Sequence, residues 1–347
     1  MTDLVNRQWT VAAHPTTGLD LSDFGFQESP IVPPGDGEIL LRTHYLNVAP
    51  VMRMYMMNDA SVRTPERSLS IGDVIHGRGV AEVIDSRHVD FSVGDFVHGQ
   101  LGWQTHKTTR VTPQEKFIRM QPRALPAYYG LSALGMTGYS AYCGFMLRGE
   151  PKPSDHVLVS GAAGGVGSLV VQLAKAVGCE HVIGIAGTQE KCMAVKSLGA
   201  DDCINYKTED VDARIAALMP DGIDVYFDNV GGDILEMVLE RLRLHARVVM
   251  CGAISEYTRK EPFGPRNYGR LRSFDADMRG FFVYNHQPHF AQAEDHLAAL
   301  IHDGKLTALI DIADGFEQMP KALIGLYTGA NVGKRVVRVN AGTDVIY

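Results

Sequence analysis

The segment HVLVSGAAGGVGSLVVQLAKAVG, residues 156–178, constrains this chain more than any other stretch. An apolar run leads into Gly161-Ala162-Ala163-Gly164-Gly165-Val166-Gly167. Leu169, Val170, Leu173, Ala174 and Val177 then fall on one helical stripe. The pattern is a strand, a tight turn and a helix. Its glycines let the backbone approach a pyrophosphate, and the helix N-terminus offers free N–H groups and the positive end of a dipole. A bare glycine pattern is a weak sign of nucleotide binding, but this one has the required strand before it and helix after it. The same glycines and serines interrupt the longest apolar stretch, so it does not read as a membrane span.

The rest of the sequence from about residue 131 keeps this rhythm. Residues 134–147 read as a helix. Strands are expected at 156–160, 181–186, 223–227 and 247–252, with helices at 167–177, 189–198 and 233–244. A late strand is expected at 280–284 and a helix at 289–303. Short apolar strands alternating with helices imply an α/β fold, a doubly wound parallel sheet covered on both faces. The first third differs. Residues 38–48, 77–86 and 94–103 are strand-like and separated by Gly-Asp turns, the composition of a β-barrel. The closing run GKRVVRV is another strand that is expected to return to that barrel. The expected organisation is therefore a β domain from 1–130 with 305–347, around a dinucleotide-binding domain at 131–304. A chain of 347 residues is long enough for both cores.

The strand HVIGIAG ends about 20 residues past the third glycine of the turn. An NAD-specific protein normally carries Asp or Glu there, bonding the ribose hydroxyls. Here Gly187-Thr188 occupy the place and Lys191 follows. A neutral turn with a lysine suits the 2′-phosphate of NADP, which a carboxylate would repel. Glu190 is close in sequence, but on a helix its side chain diverges from that of Lys191.

Composition excludes several other roles. The net charge of −7 leaves no basic footprint for nucleic acid, and no Lys/Arg-rich helix marks a membrane surface. Five cysteines without a C-x-x-C pair, and an N-terminus without a charged-then-apolar leader pattern, point to reduced thiols in the cytoplasm.

The motifs taken together resemble the medium-chain dehydrogenase/reductases, in the leukotriene B4 dehydrogenase/prostaglandin reductase branch with its curcumin reductases and plant double-bond reductases. The resemblance rests on Leu134-Gly135-Met136-Thr137-Gly138, the glycine turn, AGTQEKC, Asn205-Tyr206-Lys207 and Phe227-Asp228-Asn229-Val230-Gly231-Gly232. It continues through Cys251-Gly252-Ala253-Ile254-Ser255, Gly264-Pro265-Arg266-Asn267, Met278-Arg279-Gly280-Phe281 and Gly329-Ala330-Asn331-Val332-Gly333-Lys334. It implies a Rossmann domain plus a GroES-like β-barrel, a homodimer, and NADPH as cofactor. It implies that Lys191 and Tyr206 hold the 2′-phosphate. Met136, Thr137, Ala163, Gly164, Gly165, Val166, Gly187 and Asn229 would face the cofactor. Cys251, Gly252, Ala253, Ile254, Ser255 and Tyr257 would line its path. Phe281, Phe282 and Val283 would flank the nicotinamide amide, and Asn331 would reach it from the C-terminal return. One motif departs from the family: where Val-Asp-Pro-Tyr-Met-Arg is usual, the chain has Val48-Ala49-Pro50-Val51-Met52-Arg53, followed by further methionines around Tyr55.

Zinc-dependent alcohol dehydrogenases of this fold use cysteine and histidine ligands in the catalytic domain. This chain has no cysteine before Cys143, and His76, His98 and His106 lack a ligand-gathering spacing. The expected chemistry is then metal-free reduction of the C=C bond of an apolar enone or enal. Hydride passes to the β-carbon, and the enolate is stabilised by donors and protonated. Tyr268 is the leading candidate for the donor, with Tyr257, Tyr55 and water as alternatives. A quinone reductase of the same superfamily and a cofactor-binding relative without turnover remain as other readings.

Overall fold

The computed structural model describes residues 5–16, 18–57, 68–112, 117–257, 264–340, 342 and 344–347. The chain divides into two units: 1–131 with 311–331 and 335–347, and 132–310 with 332–334.

The first unit is built on β-strands. In chain order these are β1 (Val5–Val11), β2 (Phe24–Pro30), β3 (Glu38–Asn47), β4 (Arg78–Ser86), β5 (Phe96–Gln100), β6 (His106–Arg110) and β7 (Ile118–Arg119), with helix α1 (Val51–Met56) after β3. β1 and β2 form an antiparallel pair. β3 pairs β4, β4 pairs β5, and β6 lies against β3, all antiparallel. Alternation decides the faces. Ile39, Leu41, Ala81, Val83 and Val97 point into one core around the fully buried Trp103, which stacks on Phe24 with ring centroids 5.8 Å apart. Gly79 allows β4 to lie close, since a Cβ there would stand 2.7 Å from the Tyr45 carbonyl oxygen.

The second unit begins with α2 (Met136–Tyr142), which widens into a π-helix over Cys143–Gly149. Strands and helices then alternate: β8 (His156–Ser160), α3 (Gly165–Val177), β9 (His181–Ala186), α4 (Gln189–Ser197), β10 (Asp202–Asn205), α5 (Val211–Leu218), β11 (Ile223–Asp228), α6 (Gly232–Leu239), β12 (Leu242–Met250), α7 (Arg270–Ser273), β13 (Asp277–Gly280) and α8 (Phe290–His302). The sheet runs β10-β9-β8-β11-β12-β13 and its pairings are parallel. Its strands are apolar on both faces. Val157, Leu158, Val159, Val225, Tyr226, Phe227, Val248 and Val249 have no exposed surface. Successive crossovers run one way from β8 through β9 to β10 and the other way from β11 onward. A crevice therefore opens beyond the carboxyl ends of β8 and β11, where such sheets bind ligands. A buried ion pair, Arg247 with Asp155, ties β12 to the start of β8, and Arg247 Nε also donates to the Gly149 carbonyl at 3.0 Å.

The chain then returns to the first unit through β14 (Ile310–Asp314), α9 (Met319–Thr328) and β15 (Lys334–Arg338), where Val336–Arg338 pair antiparallel with β3.

Three sequence expectations need correction. The expected helix 233–244 ends at Leu239, and β12 begins at Leu242, well before the expected 247. Leu242 pairs with Ile223, the register then shifts, and His245 takes a left-handed φ of 64° before Arg247 rejoins the ladder. That irregularity breaks the two-residue alternation that marks a strand. Second, β13 covers Asp277–Gly280, not 280–284. Pairing with Arg247–Met250 falls on the polar half of the segment, and the apolar half turns into 3-10 geometry from Val283 to His289. Third, the helix expected over 134–147 is regular only to Tyr142.

Candidate functional site

The crevice is built on a turn that only glycine can make. Gly161 has φ 58° at the end of β8. A Cβ on Gly167 would stand 2.4 Å from the Gly161 carbonyl oxygen, so the first turn of α3 packs directly on the turn backbone. Gly164, the N-cap, has no side chain to satisfy the first N–H groups of α3. These donors and the helix dipole are free to meet a phosphate. The Gly333 amide donates to the Ala163 carbonyl at 2.8 Å and closes the outer side of the turn. The Thr137 methyl and the Lys334 side chain lie against Gly165. Met136 opens α2 immediately before Thr137, its carbonyl accepting from the Ser140 hydroxyl at 2.7 Å, and Val166 follows in the first turn of α3.

At the end of β9, Thr188 caps α4, its hydroxyl accepting from the Lys191 amide at 3.2 Å. The Tyr206 ring lies over Gly187. A Cβ at Gly187 would come within 2.9 Å of the ring's Cε1 and hydroxyl, and Tyr206 is still 48% exposed. Gly187 thus leaves room for an aromatic wall, and the strand end carries no carboxylate. Glu190 is exposed on α4 while Lys191 is half-buried.

The organising group is one that the sequence reading quoted only inside a motif. Asp228, 1% exposed, ends β11. Its Oδ1 accepts from the Tyr226 hydroxyl (2.8 Å), the Ser160 hydroxyl (3.0 Å) and the amides of Val230 and Gly231 (2.9 Å each). Burial first, then the neighbouring carboxylate, raise the Tyr226 pKa far above its ordinary value, so this hydroxyl stays a donor. Asn229 completes the clasp: its side-chain amide donates to the Ser160 carbonyl at 2.7 Å and its backbone amide to the Ser160 hydroxyl at 3.0 Å. The signal available in the sequence was an Asp just ahead of Gly231-Gly232 at a helix start, the position of an N-terminal acceptor.

The loop after β12 is zipped to the same place. The amides of Cys251 and Gly252 donate to the Asp228 carbonyl at 2.9 and 3.1 Å, that of Ile254 to Asn229 at 3.3 Å, and that of Ser255 to Val230 at 3.2 Å. Ala253 lies 3.2 Å from where a Gly231 Cβ would be. The five loop residues expected to line the site are therefore together beside Asn229. Tyr257 folds back so that its hydroxyl is 3.5 Å from the Cβ position of Gly252. Burial foremost, and Cys251 to a lesser degree, raise its pKa, while a backbone hydrogen bond to Ala253 opposes them. Burial also pushes the Cys251 thiol up to about 12, leaving it protonated. Phe281 packs against Gly144 in the π-helix, where any Cβ would meet the ring at 2.6 Å. Phe282 is 46% exposed and Val283 is half-buried.

The other tyrosines are placed differently. Tyr268 is 68% exposed, and its hydroxyl has no hydrogen bond among the described residues. Its turn is anchored away from the start of α6. Arg266 pairs with Glu236 at 2.8 Å, and the Asn267 amide donates to Glu240 at 2.7 Å, at the helix's far end. Tyr55 is buried in the core of the first unit, edge-on to His76 at 5.5 Å. Asn331, half-buried, ends the 311–331 segment of that unit. Among the described residues no group of three or more His, Cys, Asp or Glu could hold a metal ion.

Known proteins share this arrangement. Residues 7–117 match the family model described as an N-terminal domain of oxidoreductases, and 165–299 match that described as zinc-binding dehydrogenase. The chain is 36% identical to (+)-pulegone reductase of Mentha piperita, over 97% of this chain and 99% of the relative. It is also 36% identical to prostaglandin reductase 1 of Bos taurus, over 96% and 98%. The chain belongs to the prostaglandin reductase branch of the medium-chain dehydrogenase/reductases. Among solved structures of this family, CurA of Vibrio vulnificus in complex with NADPH superposes with a TM-score of 0.89 at 33% identity, covering 97% of this chain and 100% of that one. The GroES-like and Rossmann domains of the family correspond to the two units described above.

Removing the Asp228 carboxylate orphans two hydroxyls and two amides in a buried place. Asp228→Ala is expected to cost about 3 kcal/mol, lowering Tm by roughly 4 °C. Asp228→Asn keeps an acceptor and is expected to recover most of this. Thermal unfolding of both variants checks it, and an unchanged Tm in the alanine variant would discard the clasp.

Proposed function

We infer that the protein is an NADPH-dependent reductase of the carbon–carbon double bond of α,β-unsaturated ketones and aldehydes. The observation that carries the reading is the conjunction of an uncapped α3 behind a glycine turn with a carboxylate-free strand end walled by Tyr206 and flanked by Lys191. The pyrophosphate belongs on the amides of Gly165 and Val166 beside Ala163 and Gly164, whose own amide donates to the Gly161 carbonyl, with Met136 and Thr137 along the same path. Lys191 and Tyr206 receive the 2′-phosphate. Asn229 and the loop 251–255 line the remainder, Phe281, Phe282 and Val283 flank the nicotinamide amide, and Asn331 contributes from the C-terminal return. When bound, NADPH supplies a hydride from C4 of its nicotinamide to the β-carbon of the enone.

The chain's own task is to accept the charge that then develops on the carbonyl oxygen. Tyr257 suits it better than Tyr268. Its hydroxyl is held beside the Gly252 backbone, and burial keeps it protonated. One well-aimed donor to an enolate oxygen contributes about 3 kcal/mol. Water can deliver the final proton to the α-carbon, so no acidic side chain is needed. The enone's own carbonyl polarises the alkene, which is why we propose that the reaction needs no zinc. The edge strand β13, with exposed Phe282 just beyond it, supports a homodimer formed by extending the sheet across a two-fold axis. No described helix is long and apolar enough to cross a membrane, and all five cysteines are free. Both features support a cytoplasmic enzyme, and recovery in the membrane fraction of lysed cells would count against that.

Cofactor choice is tested by kcat/KM with NADPH and NADH on a small enone. Wild type should favour NADPH at least tenfold, and Lys191→Ala should erase most of that margin by weakening NADPH alone. Equal use of the two by wild type would sink the assignment.

For the donor, Tyr257→Phe should lower kcat roughly 10²-fold with NADPH affinity little changed. Tyr268→Phe should stay within about twofold. The reverse ranking would return Tyr268 to the mechanism.

A chelator-treated preparation should stay active, contain no stoichiometric zinc, and scatter light as a dimer of the 38.0 kDa chain. Zinc-restored activity would refute the metal-free reading, and a monomer would refute the dimer.

A further inference from the structure

Helices rarely widen to π geometry, and where they do the site is frequently functional. The π-helix over Cys143–Gly149 is fastened at its end by arginines from two strands. Arg247 of β12 donates through Nε to the Gly149 carbonyl at 3.0 Å. Arg279 of β13 donates to the Arg148 carbonyl and to the Glu150 carboxylate, each at 2.9 Å. The terminal carbonyls of the helix are thereby satisfied, and its last turn is held against the sheet. One turn earlier, Gly144 faces two aromatic rings. A Cβ there would stand 2.6 Å from Cζ of Phe281 and 2.8 Å from Cε2 of Phe227. The two rings differ in freedom. Phe227 has no exposed surface, and it precedes Asp228, whose carboxylate accepts from Ser160 at the end of β8. Phe281 is half-buried just beyond β13, with His286 edge-on at 6.1 Å. A methyl group at position 144 would therefore displace Phe281 and leave Phe227 in place.

We propose that Gly144 is a positioning residue for the nicotinamide: by carrying no side chain, it sets how deeply the Phe281 ring seats, and so where residues 281–283 hold the nicotinamide amide. The proposal rests on the reductase reading and deepens it. The hydride-bearing carbon is placed from the π-helix, by a residue that does not itself touch the cofactor. Hydride transfer depends steeply on such placement, and a misplacement of about 1 Å can cost roughly 10²-fold in rate.

The test uses Gly144→Ala, Phe281→Leu and the double variant, in which the shorter leucine leaves room for the methyl. Three quantities are measured: kcat on a small enone, the emission of bound NADPH, which reports the surroundings of the nicotinamide, and the Kd of 2′-AMP, which reports the adenosine end alone. Gly144→Ala should lower kcat roughly tenfold or more and change the bound emission, with 2′-AMP affinity within about twofold of wild type. In the Phe281→Leu background the same alanine should change kcat by less than about threefold, because the ring it strikes is gone. An unchanged kcat and emission in Gly144→Ala, or an equal loss in both backgrounds, would overturn the proposal. Should Gly144→Ala fail to fold, Phe281→Leu and the double variant decide. A changed emission in Phe281→Leu together with a folded double variant supports the positioning role. A wild-type emission, or a double variant that also fails to fold, removes it. Should NADPH bind but no enone be reduced, the reductase reading fails, while the emission and the 2′-AMP titration still decide the role of Gly144.

Discussion

Everything at the crevice depends on one carboxylate oxygen. Asp228 Oδ1 gathers a hydroxyl from β8, a hydroxyl from its own strand and the two amides that start α6. In a parallel sheet, neighbouring strands hydrogen-bond along their length, but their carboxyl ends diverge into separate loops. Nothing in the ladder holds those loops in mutual register. Here a buried acceptor does so, at the place where the strand order reverses. The glycine turn, Asn229 and the 251–255 loop are fixed to one another through it. A buried carboxylate costs desolvation, which the four donors offset.

A second constraint is volume. Gly167, Gly187 and Gly144 each stand where a methyl group would strike a carbonyl, a tyrosine ring or a phenylalanine ring. The region gains its shape from what is missing on these residues as much as from what other residues add. At Gly187 the consequence is electrostatic as well as steric. The missing side chain lets Tyr206 cover the strand end, which removes the room an acidic residue would need there.

How legible this was in the sequence follows from how local each feature is. Strands 156–160 and 181–186 were expected at the residues where they occur, because each is a short apolar run bounded by turn residues. The start of β12 was missed because a left-handed residue at His245 breaks its alternation. The start of the edge strand was missed because its paired half carries Asp277 and Arg279, the arginine pairing with both Asp277 and Glu150. Asp228 was visible, but its partner Ser160 lies 68 residues earlier, and no spacing rule links them. Tyr268 looked attractive by position in the motif order. Its setting depends on Arg266 and Asn267 finding Glu236 and Glu240, a pairing across 27 to 31 residues that periodicity does not reveal.

The return of the chain through β15 sets an order of events during synthesis. Residues 132–310 form a nearly continuous body whose strands all pair with one another. The N-terminal body is emitted first, but its β3 waits for Val336–Arg338, some 290 residues later by their pairing with Tyr45–Asn47. Domains that emerge from the ribosome usually mature from the N-terminus onward. In this protein the middle can close while the beginning still presents an unpaired strand edge, the kind of surface that attracts other chains. The strand that ends this exposure is made some 290 residues after the edge it covers, so translation that stops between the two leaves a finished centre and an unfinished start.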